Sequence, residues 1–174
     1  MVQNVFEDKI VLAGFLSQKF DEPTVLKIQK AMYLLWAFYA GTYGSIDYED
    51  SGEFSIDAKY PVQLFEPDFE AWQYGPVDNT IYAKIKQNDL PTEFKTGEDL
   101  LNQSSLGSAS QKKNVEIFLI NLIDQINQMD DFTLVNRTHQ DTSWQDVYQS
   151  GMKHIKMNSD TIKQEYKQNL EQKI

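Results

Sequence analysis

The sequence predicts a mainly α-helical single-domain protein of about six helices, with a small antiparallel β element around residues 54–74. Three observations predict this fold class. The 174 residues match the size of one domain, so residues 1–174 are assigned to one unit. Apolar residues recur at helical spacing over much of the chain, whereas strand-like alternation is confined to one stretch. The composition, 41% hydrophobic and 24% charged, is typical of a folded globular protein.

The first two helices lie on either side of a short polar break. Apolar pairs at four-residue spacing between Phe6 and Phe20 predict an amphipathic helix of about four turns. A second helix begins at Val25 and is apolar on every side from Ala31 to Ala40, which predicts the central element of the core. In its first turns we expect three polar side chains to point outward, those of Lys27, Gln29 and Lys30.

The β element comes after a long connection. Residues 42–68 are predicted to form this acidic connection, with one or two short strands at residues 54–58 and 62–64. Apolar and polar residues also alternate over residues 69–74, which predicts a strand that ends before Pro76. Pro76 itself suits the first turn of the next helix, because its fixed φ is compatible with a helix start.

Four more helical segments are predicted downstream. Residues 88–110 are polar and are expected to form a second connection. An apolar stripe over residues 111–129 indicates a long amphipathic helix. Thr133 can cap a short helix, and a further short helix holds Trp144. Asn158 is expected to cap the last helix.

The charge is strongly negative and uneven. The chain has 16 basic and 26 acidic residues, a net charge of −10, so direct nucleic-acid binding is not expected. Residues 46–70 combine eight acids with Lys59 alone, which gives this stretch a charge of −7. It is a solvated loop, an acidic surface for a basic partner or a mimic of nucleic-acid phosphate. The acids are Asp47, Glu49, Asp50, Glu53, Asp57, Glu66, Asp68 and Glu70.

Catalytic and metal-binding signals are weak. The absence of cysteine excludes disulfides, thiol nucleophiles and thiolate metal sites. Ser143, His139 and Asp141 contain the residue types of a hydrolase triad, but closeness in sequence is not the required geometry. With Asp146 in place of Ser143, the same segment offers too few imidazoles for zinc. We therefore expect no catalytic residue, no metal and no cofactor, and we keep a hydrolase that uses His139 as an alternative to a structural histidine.

No feature of the sequence indicates membrane insertion or export. The first eight residues lack the basic and apolar regions of a signal peptide. The longest apolar run, residues 31–40, is far shorter than the ~20 residues that span a bilayer. A cytoplasmic protein is expected.

Aromatic residues collect at the predicted strand–turn–helix corner. Trp72, Tyr74 and Pro76 lie there, next to the acidic stretch. Aromatic side chains on a rigid corner are typical anchors of protein interfaces, but they are also common in cores. Both interpretations stay open for this corner.

Three segments together resemble a known family. They are LKIQKAMY at residues 26–33, FEAWQYGPV at residues 69–77 with Ile81-Tyr82 close behind, and Thr138-His139 with Trp144 shortly after. In this combination the chain resembles the Panacea-domain family, the SocA-like and GepA-like proteins often encoded by prophages. The resemblance spans roughly residues 5–166. The family motif falls on Lys27, Gln29, Lys30, Tyr33, Tyr82, Thr138, His139 and Trp144.

The resemblance implies a helical domain that acts by binding proteins and has no enzymatic activity. Members include antitoxins that neutralise unrelated toxins and an adaptor that delivers a toxin to a protease. The implied partner is a toxin encoded by the adjacent gene, or a protease component. The alternative is a phage-encoded inhibitor of a basic host protein that acts through residues 46–70. The predicted partner-binding residues are Trp72, Tyr74, Gly75, Pro76, Asp47, Glu49, Asp50 and Glu53.

Overall fold

The computed structural model describes residues 3–48, 59–152 and 154–169. Within these ranges the chain forms eight α-helices, one 3₁₀ turn and one two-stranded antiparallel sheet, which confirms the predicted fold class. In chain order they are α1 (Lys9–Lys19), α2 (Val25–Gly41), the 3₁₀ turn (Tyr43–Ser45), β1 (Phe69–Trp72), β2 (Gly75–Asp78), α3 (Asn79–Lys86), α4 (Gly97–Leu101), α5 (Ala109–Asn127), α6 (Asp131–Thr138), α7 (Thr142–Gln145) and α8 (Ser159–Gln168).

Helix α2 is the centre of the molecule, as predicted. The Thr24 side chain caps it by accepting a hydrogen bond from the backbone N–H of Lys27. Helices α1, α5, α6 and α8 and the strand β2 all pack against it. Because neighbours cover every side of α2, an apolar residue is accommodated at any position along its middle turns.

The expectation that the polar residues of α2 face solvent is wrong. Lys27, Gln29 and Lys30 are 5%, 1% and 0% exposed, respectively. Lys27 Nζ donates to the carbonyl of Asn127 at 3.3 Å. Gln29 and Lys30 bond the backbone of strand β2, so their polar ends are satisfied without water.

The predicted β element is a hairpin. Strands β1 and β2 pair antiparallel, with Trp72 opposite Gly75 and Gln73-Tyr74 as the two turn residues. The expected strand at residues 54–58 lies outside the described residues. Around residues 62–64 the chain forms an isolated parallel bridge, between Gln63 and Asn4, in place of a full strand.

The helix expected at Pro76 starts later than predicted. Pro76 lies in β2, and Asp78 caps α3 by accepting from the N–H of Ile81. Proline fits here because this edge of β2 faces α2 side chains rather than a third strand.

Two further local predictions need correction, and two are confirmed. The connection at residues 88–110 contains α4, whose start Thr96 and Asp99 stabilise as a capping box. Asp130 caps α6, so Thr133 is not the cap. The long helix α5 and the Asn158 cap of α8 match the prediction. Among the described residues, no helix has the length and apolar character needed to cross a membrane.

Candidate functional site

Side chains of α2 hold the hairpin along β2. Gln29 Nε2 donates to the carbonyl of Asp78 at 3.0 Å, and the N–H of Asp78 donates back to Gln29 Oε1 at 2.8 Å. Lys30 Nζ donates to the carbonyl of Pro76 at 2.9 Å. These bonds replace the ladder that a third strand would provide, and they fix the hairpin against the core helix.

The opposite edge of the hairpin is also covered. The N–H of Ala71 donates to the carbonyl of Ile155, and the N–H of Met157 donates to the carbonyl of Phe69, both at 2.8 Å. Glu70 and Lys156 form an antiparallel bridge between these two bonds. The hairpin therefore offers no free strand edge to a partner along these residues.

Gly75 makes the close packing of the turn possible. Its φ is +105°, a value that favours glycine. A Cβ at this position would lie 2.5 Å from Thr138 Oγ1 and 2.9 Å from Lys30 Cε. Both neighbours are fully buried, so neither can move away without disturbing the core.

Substitution of Gly75 should be costly. We expect Gly75→Ala to lower the free energy of unfolding by about 1–3 kcal/mol, because it adds backbone strain and a steric conflict. Urea denaturation of the purified protein measures the change. Gly107→Ala is the matched control, since no atom lies within 4 Å of the added Cβ, and its effect should stay within about 0.5 kcal/mol. Equal losses for both variants would contradict this account of Gly75.

His139 of the Thr-His motif and Trp144 bind the backbone of the hairpin turn from the other side. His139 Nε2 donates to the carbonyl of Gln73 at 3.0 Å, and Trp144 Nε1 donates to the carbonyl of Trp72 at 2.9 Å. The two rings stack at a centroid distance of 4.0 Å. Burial lowers the pKa of His139, and the nearby Lys30 adds to this effect, whereas the Gln73 carbonyl opposes it. This geometry matches the structural interpretation of His139.

The three residue types of a hydrolase triad are not assembled. His139 is bonded to the hairpin turn through its Nε2. Ser143 Oγ donates to Glu165 Oε1 at 2.6 Å, and Asp141 Oδ2 accepts from Tyr33 at 2.6 Å. Within the described ranges, no group of three His, Asp or Glu side chains could hold a metal ion.

Asp141 is the centre of a buried polar network that joins α2, α6 and α8. Its side chain is fully buried and accepts from Tyr33, from Tyr166 at 2.5 Å and from Arg137 Nη1 at 2.9 Å. Burial raises the pKa of Tyr33, and the negative charges around it reinforce this shift. The network thus ties the α6 end, which carries the Thr-His motif, to the core helix.

An apolar groove lies beside the hairpin turn, between α2 and residues 148–152. Its volume is about 340 Å³. Gln29 and Lys30 contribute to its wall from α2. The apolar part of its lining comprises Val25, Leu26, Trp72, Tyr74, Val77, Tyr82, Tyr148 and Met152.

Three large apolar side chains stand exposed at this groove. Tyr74 is 47% exposed and Met152 is 52% exposed, and both line it. Phe132 is 64% exposed and packs edge-on against Tyr74 at a centroid distance of 6.3 Å. Six large hydrophobic residues of the described chain are exposed, and these three share one place. Clustering of this kind is typical of an interaction surface.

The predicted partner-binding residues at the corner separate into two groups. Tyr74 is exposed, and Trp72 is half-buried, with its Nε1 donating to Glu70 Oε1 at 2.9 Å. Gly75 and Pro76 are buried, so they shape the hairpin and offer no surface for direct contact.

The acidic stretch is not one solvated surface. Asp47 is exposed, whereas Glu49, Asp50 and Glu53 lie outside the described residues. Glu70 is only 3% exposed and is bonded by Trp72, His154 and Lys156. Although burial works against its charge, these donors lower the pKa of Glu70. For Glu70 the expectation of an exposed acid is therefore wrong. Its buried carboxylate accepts the hydrogen bond of the Trp72 indole and so holds that ring in place.

Sequence reasoning missed Phe132 and Met152. Each is a single large apolar residue in a polar segment, within Asp-Asp-Phe-Thr and Ser-Gly-Met-Lys, respectively. An isolated residue of this kind contributes to no periodic stripe, so hydrophobic periodicity does not reveal it. Their isolation among polar neighbours was the available signal.

The fold and the site define a mainly helical domain. Side chains of its core helix bind the backbone of a hairpin that lies beside an apolar groove. The chain belongs to the family of SocA-like antitoxins with the Panacea domain, whose family model matches residues 53–145. This match includes the hairpin and the Thr-His motif. It is narrower than the expected span of residues 5–166 and does not reach the segment at residues 26–33. Neither a curated protein nor a solved structure matches the chain.

Proposed function

We propose that this protein is the antitoxin of a prophage-associated toxin–antitoxin pair, and that it neutralises the toxin in the cytoplasm by binding it directly without catalysis. The toxin is encoded by the adjacent gene. The family supplies the class, and one structural observation carries the binding site: Tyr74, Phe132 and Met152 stand exposed together at the groove. Exposed aromatic and methionine side chains are enriched at protein interfaces relative to the rest of the surface.

The buried residues of the family motif support the proposed binding role because they hold the hairpin turn rigid. Gln29, Lys30, His139 and Trp144 all bond the backbone of the hairpin and its turn. Tyr74 is thereby presented on a turn that is fixed before any partner arrives. A preorganised surface loses little conformational entropy on binding, which raises affinity without adding contacts.

Removal of the exposed apolar side chains should abolish neutralisation. We expect the double variant Phe132→Ser/Met152→Ser to bind the toxin at least about 100-fold more weakly, since central apolar anchors each contribute ~2 kcal/mol or more. Its free energy of unfolding should change by less than about 1 kcal/mol, because both side chains are more than half exposed in the free protein. Growth rescue on co-expression and calorimetric titration of the purified proteins measure the effect.

The control is Val62→Ser/Ile117→Ser, which removes exposed apolar side chains that neither line the groove nor pack against the Tyr74 ring. This variant should neutralise as the wild type does. If it fails equally, or if the groove variant still rescues growth, the proposed site is wrong. An adaptor would need its protease for neutralisation. Inhibition of the toxin by the purified antitoxin alone therefore separates direct binding from delivery to a protease.

A further inference from the structure

We propose that the toxin segment that enters the groove is basic and amphipathic, with apolar side chains in the groove and Lys or Arg against an acidic rim beside it. This inference rests on the proposed function and specifies the chemistry of its partner. The rim consists of four acids from two turns that lie side by side, Asp21, Glu22, Asp130 and Asp131.

Hydrogen bonds join the two turns. The N–H of Asp21 donates to Asn127 Oδ1 at 3.0 Å, which connects the α1–α2 turn to the end of α5. Thr24 Oγ1 donates to Asp131 Oδ1 at 2.8 Å, which connects the start of α2 to the start of α6. The four carboxylates are therefore gathered at one end of the molecule, although more than 100 residues separate the two turns in sequence.

The rim adjoins the groove on both sides of this junction. On α2, Thr24 directly precedes Val25, which lines the groove. On α6, Asp131 directly precedes Phe132, whose ring contacts Tyr74 at the groove mouth. The rim is therefore contiguous with the groove in both turns, and a segment seated in the groove can extend over it.

The rim carries more acids than nearby cations, which are the exposed Lys19 two residues before Asp21 and Lys27, whose charge adds to the hydrogen bonds from Thr133 in lowering the pKa of Asp130. Residues 20–24 and 127–132 contain these four acids and no Lys or Arg. Within the part of the chain that the structure describes, none of the four forms an ion pair. Lys27 lies nearby, but it is 5% exposed and its Nζ is directed to the Asn127 carbonyl. The rim thus presents negative charge to an incoming partner.

The charge around the groove also gives the bound segment a direction. At the opposite wall, Lys86 Nζ lies 5.4 Å from the ring centre of Tyr82, which lines the groove. The α2 end therefore carries the rim acids, whereas the exposed Lys86 lies at the α3 end, where Lys84 is paired with Asp89. Complementary charge favours a segment whose basic residues cluster at the end that lies over the rim.

A synthetic peptide pair tests the proposal. One fluorescein-labelled peptide of about 14 residues places Leu at helical spacing and Lys elsewhere, and its partner carries Glu in place of Lys. Fluorescence anisotropy should show that the protein binds the Lys peptide, increasingly weakly as salt is added, and does not bind the Glu peptide. Phe132→Ser/Met152→Ser should abolish this binding.

Matched charge variants separate the rim from the overall negative charge. Asp130→Asn/Asp131→Asn should weaken binding of the Lys peptide at least about 10-fold, and it preserves the α6 cap because Asn caps as well as Asp. Glu7→Gln/Glu93→Gln removes two exposed acids, one just before α1 and one between α3 and α4, and should leave binding unchanged. Equal weakening by both pairs, binding of the Glu peptide or no binding of the Lys peptide would overturn the inference.

Other outcomes assign the groove differently. If sedimentation shows a dimer of the wild type that Phe132→Ser/Met152→Ser dissociates, the occupant is a second copy and the inference fails. If the groove variant loses the toxin while the rim variant retains wild-type toxin affinity, direct binding through the groove stands. In that case only the basic character of the partner is rejected.

Discussion

Asp141→Ala should lower the free energy of unfolding by about 3–5 kcal/mol, the cost of removing one member of a buried ionic network. Asp141 is fully buried, and its partner Arg137 is only 6% exposed. The substitution removes the carboxylate that faces this guanidinium and the acceptor of the hydroxyl groups of Tyr33 and Tyr166. The effect is large because Arg137 and the two tyrosine hydroxyl groups would lose a hydrogen-bond partner in a site that water does not reach.

Two controls locate the cause of this loss. Asp146→Ala removes an exposed carboxylate five residues away and should change stability by less than about 0.5 kcal/mol. Asp141→Asn keeps an acceptor oxygen but loses the charge, and it should fall between the wild type and Asp141→Ala. Urea unfolding at pH 7 measures all three. A loss below about 1 kcal/mol for Asp141→Ala would show that the network does not hold α6 and α8 to α2.

The second large effect concerns the pH dependence of stability. Burial lowers the pKa of Lys30 from 10.5 to about 7 in the folded state. At pH values below 7 both the folded and the unfolded state carry the proton, so the full cost of the buried charge is present. As the pH rises above 7, the folded state releases this proton while the unfolded state retains it. Stability therefore increases with pH, because the unfolded state binds more protons.

We expect the free energy of unfolding to rise by about 2 kcal/mol between pH 7 and pH 9, since the limiting slope is about 1.36 kcal/mol per pH unit. Above this window the trend reverses. Burial raises the pKa of Tyr33, Tyr39 and Tyr166, so near pH 10 the unfolded state loses phenolic protons that the folded state keeps. His139 titrates below the window, because its pKa is lowered from 6.5.

Lys30→Met tests the assignment of this slope. Methionine retains most of the apolar stem but cannot carry the charge, so the rise in stability from pH 7 to pH 9 should disappear. The exposed Lys95 provides the control, and Lys95→Met should retain the slope. Denaturant titrations at several pH values measure both variants. An unchanged slope in Lys30→Met would show that another group is responsible.

The sequence predicted the helical class and the central helix because both depend on patterns within one segment. The all-apolar run at residues 31–40 required burial on every side, and α2 has it. The predicted strand over residues 69–74 ends at Trp72, and Gly75-Pro76, expected to end it, begins β2 after the turn at Gln73-Tyr74. The element after the turn was mispredicted, because Pro76 is compatible with both a helix start and an edge strand. The pairing of Pro76 with Ala71 of β1 and the bond from Lys30 to the Pro76 carbonyl distinguish these two possibilities.

The candidate site was predicted in part. The motif segments located the hairpin corner and Tyr74, but the role of each residue depended on tertiary contacts. Polarity indicated that Gln29 and Lys30 face solvent, whereas backbone groups 49 and 46 residues away in sequence accept their hydrogen bonds and allow burial. The residues next to a polar side chain in sequence do not indicate whether such a distant acceptor exists, so its burial cannot be predicted from its own segment.

By itself, the sequence determined that this is a helical, acidic protein with the motifs of the SocA-like Panacea family, because composition, periodicity and motif spacing are properties of the chain alone. Only the tertiary structure decided which residues form the surface. It brought Phe132 and Met152 to Tyr74 and placed the acids of two distant turns beside them. Burial and exposure are set by neighbours from other elements, and packing determines those neighbours.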